Sequence, residues 1–184
     1  MYVKICIIEL ENYKKYEEKA MEIKKKEKKG RKIILLLILT LFLVKGITVI
    51  KEWKLIKRNK YLLERSILNN KEKNEILLNE LIPFEWDRIL TFSPYYSRDS
   101  VYHSAGYRFA SIVVDGSNES FNQFVFMKDD KVVCHLQGLA SNMEYSFYFN
   151  FDNSKDGVLT ILNNKDIKMK VDKYDNGIVM TEEA

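Results

Sequence analysis

The chain reads as an α+β protein: an N-terminal single-pass transmembrane helix and stalk, then an antiparallel β-sheet domain with one short helix. Three observations predict this. An uninterrupted apolar run at 33–44 follows the basic block at 24–32. From Phe84 onward apolar residues recur at period two, the spacing of a strand with one buried face. Turn-forming pairs such as Asp129-Asp130 separate these segments. The organisation expected is a basic cytoplasmic segment at 1–32, a transmembrane helix at 33–50, a helical stalk at 51–82 and an extracytoplasmic α+β domain at 83–184.

Twelve residues without a charge fall short of the roughly 20 that a membrane span needs. Continuing to Ile50 gives 18 with one interruption, Lys45, whose ammonium can snorkel to the headgroups. Two other readings compete with an uncleaved anchor. A cleaved signal peptide requires small residues after the apolar core, and Lys45-Gly46-Ile47-Thr48 does not supply them. A buried soluble helix sits badly between lysine-rich flanks. Charge divides the chain at the same place: residues 1–66 hold 18 Lys/Arg and 8 Asp/Glu, a net of +10, and residues 67–184 hold 12 and 18, a net of −6. The basic balance therefore belongs to the flanks of the apolar run, where lysines meet anionic lipid, and does not point to nucleic acid. Residues 1–32 carry 11 Lys/Arg and residues 45–66 carry 7, which places the N-terminus in the cytoplasm. Cys6 and Cys134 would then lie on opposite sides of the membrane and cannot pair within one chain. Residues 1–20 are either a small interfacial element or an extension upstream of Met21.

After the anchor, Trp53 stands where an interfacial aromatic belongs. Leu55, Ile56, Leu62, Leu63, Ile67 and Leu68 recur at near-heptad spacing, and Ile76, Leu77, Leu78, Leu81 and Ile82 form a second apolar face before Pro83. A coiled stalk would pair two chains through these residues; the alternative is a helix packed on the domain. Phe84, Trp86, Leu90 and Phe92 are expected on one face of a first strand ending at Pro94. Ser97, followed by Asp99, opens a short helix that ends near Gly106. A second strand is expected at 109–114. Strands at 121–127 and 131–136 flank Asp129-Asp130 as a hairpin, and 143–151 alternates most regularly. Strands at 158–162 and 167–171 are expected to form a second hairpin, with a last strand at 178–180.

The segment Phe84-x-Trp86-Asp87-x-x-Leu90-x-Phe92-x-Pro94-Tyr95 resembles one found in small membrane-tethered bacterial proteins of unknown function. There too a Trp-Asp strand runs into Phe-x-Pro-Tyr, followed by a short helix and a hairpin like that at 124–133. The resemblance covers 84–136 and implies an anchored extracytoplasmic domain without implying an activity.

No arrangement of residues here names a reaction. His103 and His135 are the only histidines, and with Cys134 they give no metal-ligand spacing. Cys134 and His135, adjacent in a strand, must point to opposite faces and cannot act as a nucleophile pair. Asp152-x-Ser154-x-Asp156-Gly157 opens like a calcium loop, but Asn163 stands where the bidentate glutamate is needed, so it reads as a turn. No enzyme activity, cofactor or metal is expected. The candidate binding cluster is Asp87, Tyr95, Tyr96 and Arg108, at the ends of the first strand and the loop beyond it. The expected function is that of a non-catalytic envelope protein holding its domain out to a protein or peptide, with membrane lipid as its other partner. An immunity-type protein that neutralises a toxin is one alternative. An envelope-acting enzyme with unidentified catalytic residues is another.

Overall fold

A computed structural model describes residues 2–163, 166–174 and 177–183, with 2–30, 33 and 34 described by backbone course alone. The elements in order are α1 (Tyr2–Asn69), β1 (Glu75–Leu77), α2 (Leu78–Leu81), β2 (Arg88–Phe92), α3 (Arg98–Ala105), β3 (Phe121–Lys128), β4 (Lys131–Leu139), α4 (Ala140–Met143), β5 (Tyr145–Tyr148), β6 (Val158–Leu162), β7 (Lys168–Tyr174) and β8 (Gly177–Glu182). Contacts divide the chain into two units, Met1–Thr48 and Val49–Ala184.

The first unit is helical, and its described apolar side chains from Leu35 onward are exposed. Among the described residues no helix is long and apolar enough to cross a membrane. The helix expected to do so, 33–50, begins with Ile33 and Ile34, whose side chains lie outside the described residues. The remaining sixteen residues, 35–50, span about 24 Å at 1.5 Å per residue, short of a hydrocarbon core of about 30 Å.

The second unit is α+β, with two four-stranded sheets ordered β1-β7-β8-β5 and β4-β3-β2-β6. Every pairing is antiparallel except β5 with β8, which is parallel. The inner strands of the second sheet, β2 and β3, are buried on both faces. Ile89, Phe124, Phe126 and Leu136 face a core shared with Met169 and Met180 of the first sheet and with Leu63 and Ile67 of α1. Leu90, Phe92, Val125 and Met127 face the other way, against Val101 and Ala105 of α3, Phe109, Val113 and Ile56 of α1. A strand covered on both faces needs apolar side chains at successive positions, and Phe124-Val125-Phe126-Met127 supplies them.

Several expectations meet this architecture unchanged. Ser97 caps α3, its hydroxyl accepting from the Ser100 N–H at 3.2 Å, and Gly106 closes the helix in the left-handed region at φ 85°. The β3–β4 hairpin turns at Asp129-Asp130, with φ values of 48° and 58°, the backbone of a two-residue turn that matches strand twist.

Others are corrected. Trp86 is buried, but in the core with Ile89, while Leu90 and Phe92 belong to the opposite face. The chain bends at Phe84 and Asp87 before β2 begins, so the count of alternate positions does not carry across. Residues 109–114 form no strand, although Phe109 and Val113 point in while Ile112 and Val114 point out. β6 and β7 both exist but do not pair: β6 joins β2 in one sheet and β7 joins β8 in the other. Within the expected stalk, α1 ends at Asn69 and 75–81 is divided between β1 and α2. Ile56, Asn59, Leu63 and Ile67, spaced three and four apart, are one buried stripe, and Leu55 and Leu68 are exposed. The face a coiled coil would use is occupied by the domain itself.

Candidate functional site

The four candidate residues fall in two places. Asp87 precedes β2, and Tyr95 and Tyr96 follow it, so about 17 Å of strand separates them. One Asp87 carboxylate oxygen accepts from Lys128 Nζ at 2.8 Å and the other from the Asp129 N–H at 2.8 Å. The Lys128 hydrogen bond and then the Asp129 N–H hold this carboxyl below its ordinary value, and Asp87 in turn raises the Lys128 ammonium. Tyr95 is exposed, in the left-handed region at φ 66°. The Tyr96 ring packs on Phe92 at 4.9 Å, and its carbonyl accepts from the Gly116 N–H at 3.1 Å. Arg108 lies elsewhere, paired with Asp99 at 3.1 Å and set over the Tyr102 ring at 5.4 Å.

What Asp87 and Tyr96 bracket is β6. At its start, Lys155 and Val158 exchange two backbone hydrogen bonds of 2.9 Å around Asp156-Gly157, a tight turn as the sequence implied. Gly157 has φ 76°, and a Cβ there would come within 2.7 Å of Ser93 Oγ and against the Tyr96 ring, so only glycine fits. At its end, the Asn163 N–H donates to the Asp87 carbonyl at 2.9 Å. β6 is the outer strand of its sheet, and its free side meets no other strand among the described residues. Leu159 and Ile161 anchor it in the core, and Thr160 and Leu162 are exposed. Val-Leu-Thr-Ile-Leu carries no charge and no proline, the usual guards of a bare edge.

Arg108 belongs to a second feature, an open groove of about 680 Å³ between α3, the 108–113 loop and Trp53 of α1. Side chains hold the loop where a strand ladder would have done so. Glu52 of α1 accepts from the Tyr107 hydroxyl at 2.6 Å and from the Ala110 N–H at 3.0 Å. Burial, and then the bond to Glu52, push the Tyr107 hydroxyl up to about 12. The Gln137 amide acts like a peptide unit, accepting from the Val114 N–H at 3.0 Å and donating to the Ile112 carbonyl at 2.6 Å. Tyr102 donates to the Ser111 carbonyl at 3.0 Å. Glu52, Gln137 and Asn59 escaped the sequence reading. The available signal was a polar residue standing in register with an apolar helical stripe, as Glu52 and Asn59 stand with Ile56 and Leu63.

Cys134 and His135 point to opposite sides of β4, as strand geometry requires. Cys134 is buried between the sheets, where burial pushes its thiol up. His135 is buried on the other side, edge-on to Phe109 at 5.2 Å, with Nδ1 2.9 Å from Ser111 Oγ and Nε2 without a partner among the described residues. Burial first, and then the nearby Lys60 charge, lower this imidazole to about 4. Among the described residues no group of three or more His, Cys, Asp or Glu could hold a metal ion. No family model matches the chain, and neither the curated proteins nor the solved structures contain a match to it.

Proposed function

We propose that this is a membrane-anchored, non-catalytic envelope protein that binds a protein or peptide partner by adding a strand along β6. In this reading 33–50 is a single-pass anchor, 1–32 is cytoplasmic and the α+β domain is extracytoplasmic. The basic block before the apolar run, the lysine bias and the exposure of every side chain from 35 to 50 support the anchor. The uncharged outer edge of β6 is the observation that carries the binding reading. An extended peptide laid there gains main-chain hydrogen bonds to Thr160 and Leu162, whose N–H and C=O face away from β2, and their exposed side chains supply further contacts. Tyr96 and Asp87 stand at the two ends of this seat. The reading is non-catalytic because the side chains best suited to chemistry, Cys134 and His135, are sealed from solvent and from each other.

A photo-crosslinking amino acid at Thr160 of the full-length protein tests this in cells. We expect a discrete heavier adduct containing one other polypeptide, abolished by Leu162→Lys. A Thr160 probe that yields no adduct, or adducts that ignore Leu162→Lys, would sink the strand-addition reading.

A further inference from the structure

We propose that the groove between α3, the 108–113 loop and Trp53 seats an anionic phospholipid headgroup, docking this face of the domain on the membrane surface. The inference rests on the anchor reading above and adds a lipid site to it. Arg98 and Arg108 place two guanidinium groups around the groove, Arg108 also paired with the exposed Asp99 at 3.1 Å, and Trp53 and Tyr102 give it aromatic walls. Phe109 and Val113, both buried, close it from beneath. Guanidinium groups take phosphate oxygens bidentately, and Trp and Tyr are the side chains that settle at headgroup depth.

Ile112 is the second observation. It is 81% exposed at the tip of a loop whose backbone is clamped from both sides by Gln137 and Glu52. A fixed loop that holds a bare isoleucine beside two arginines has the chemistry of an insertion point, an apolar tip entering between lipids under a cationic collar. Position along α1 is the third. Trp53 follows Ile50, the end of the apolar run, by only three residues, the sequence position of an interfacial aromatic in the anchor reading. Lys57 rides over the Trp53 ring at 5.1 Å, and Lys51, Lys54 and Arg58 are exposed on the same segment. Anionic lipid complements this collar, and a zwitterionic surface does not.

The test uses the full chain in lipid nanodiscs of phosphatidylcholine, with and without phosphatidylglycerol. Hydrogen exchange is read at the 108–114 amides, and quenching of Trp53 is read with brominated lipid, buried Trp86 serving as constant background. We expect phosphatidylglycerol to slow exchange at 108–114 by at least roughly fivefold, the effect of one basic residue near an anionic surface. Arg98→Glu with Arg108→Glu should abolish that slowing, and Ile112→Ser should weaken it, with the melting temperature unchanged. Exchange that is indifferent to phosphatidylglycerol or to the charge reversals, with Trp53 still quenched, overturns the headgroup site and leaves the anchor standing. An unquenched Trp53 overturns the anchor and the site together. Equal protection by soluble glycerol phosphate, in discs of phosphatidylcholine alone, overturns the assignment to lipid.

Discussion

Asn59 shows how one side chain settles a backbone irregularity. In the β3–β4 register Phe126 faces Cys134 and Met127 faces Val132, so Val133 is an extra residue, a bulge without a partner. Its carbonyl accepts from the buried Asn59 amide at 2.9 Å, across from α1. Asn59→Leu should cost about 1–3 kcal/mol, the penalty of leaving a buried carbonyl unpaired, as read by chemical denaturation of the full chain. His135 gives a pH-dependent counterpart. Above its ordinary value of 6.5 the imidazole is neutral in both the folded and unfolded states and changes nothing. Between 6.5 and about 4 the unfolded chain takes up a proton that the fold refuses, so stability falls by about 1.4 kcal/mol per pH unit, and the loss levels off below. The melting temperature of His135→Gln should therefore fall less than that of the parent over this window. A parallel fall in both proteins would show that another group carries the loss. The register of Asn59 with Ile56 and Leu63 marks it as inward-facing, but nothing local names the bulge it serves, and His135 is a lone histidine in a strand. Each acquires its role from a partner more than twenty residues away or from the packing that seals it.

The β3–β4 turn illustrates local chemistry at odds with local preference. Both Asp129 and Asp130 hold positive φ, where Asn-Gly is the unstrained choice. Asp87 accepts the Asp129 N–H, and Arg88 pairs with the Asp130 carboxylate at 2.8 Å, so residues preceding and opening β2 stabilise the turn. Asp129→Asn with Asp130→Gly should raise stability by about 1 kcal/mol, since the Arg88 pair it removes is largely exposed and contributes little. A lower melting temperature would mean that the pair outweighs the strain. The hairpin itself was readable, as was α3, because caps and turns are written in residues a few positions apart. The 109–114 segment was not, because its alternation of buried and exposed side chains is real while its hydrogen bonds come from Gln137, Glu52 and Tyr102. Period two reports which way side chains point. It does not report whether a neighbouring strand completes the ladder.

Across the whole molecule, pairing partners lie far apart in sequence. β1 pairs with β7, Glu75 opposite Lys170, and β6 leaves its neighbour β7 for β2. No spacing rule anticipates that exchange, which is why two neighbouring strands read as a hairpin and belong to different sheets. Of the candidate cluster, Asp87 and Tyr96 were brought to one element, and Arg108 was placed on another surface by α3. The α+β class and its mainly antiparallel sheets were legible because β6, β7 and β8 alternate and turn residues punctuate the chain, although β2, β3 and β4 are buried at successive positions. At this scale the anchor is tested by alkaline carbonate extraction: the full-length protein should stay in the membrane pellet, and its release intact would refute the 33–50 span. The position of β8 has a consequence for synthesis. It follows the other strands of its sheet among the described residues, yet it sits between β7 and β5. A nascent chain that has not yet delivered Gly177–Glu182 holds β5 and β7 with bare facing edges that nothing else in the sheet can join. A product that lacks β8 would leave both edges unpaired and prone to stick.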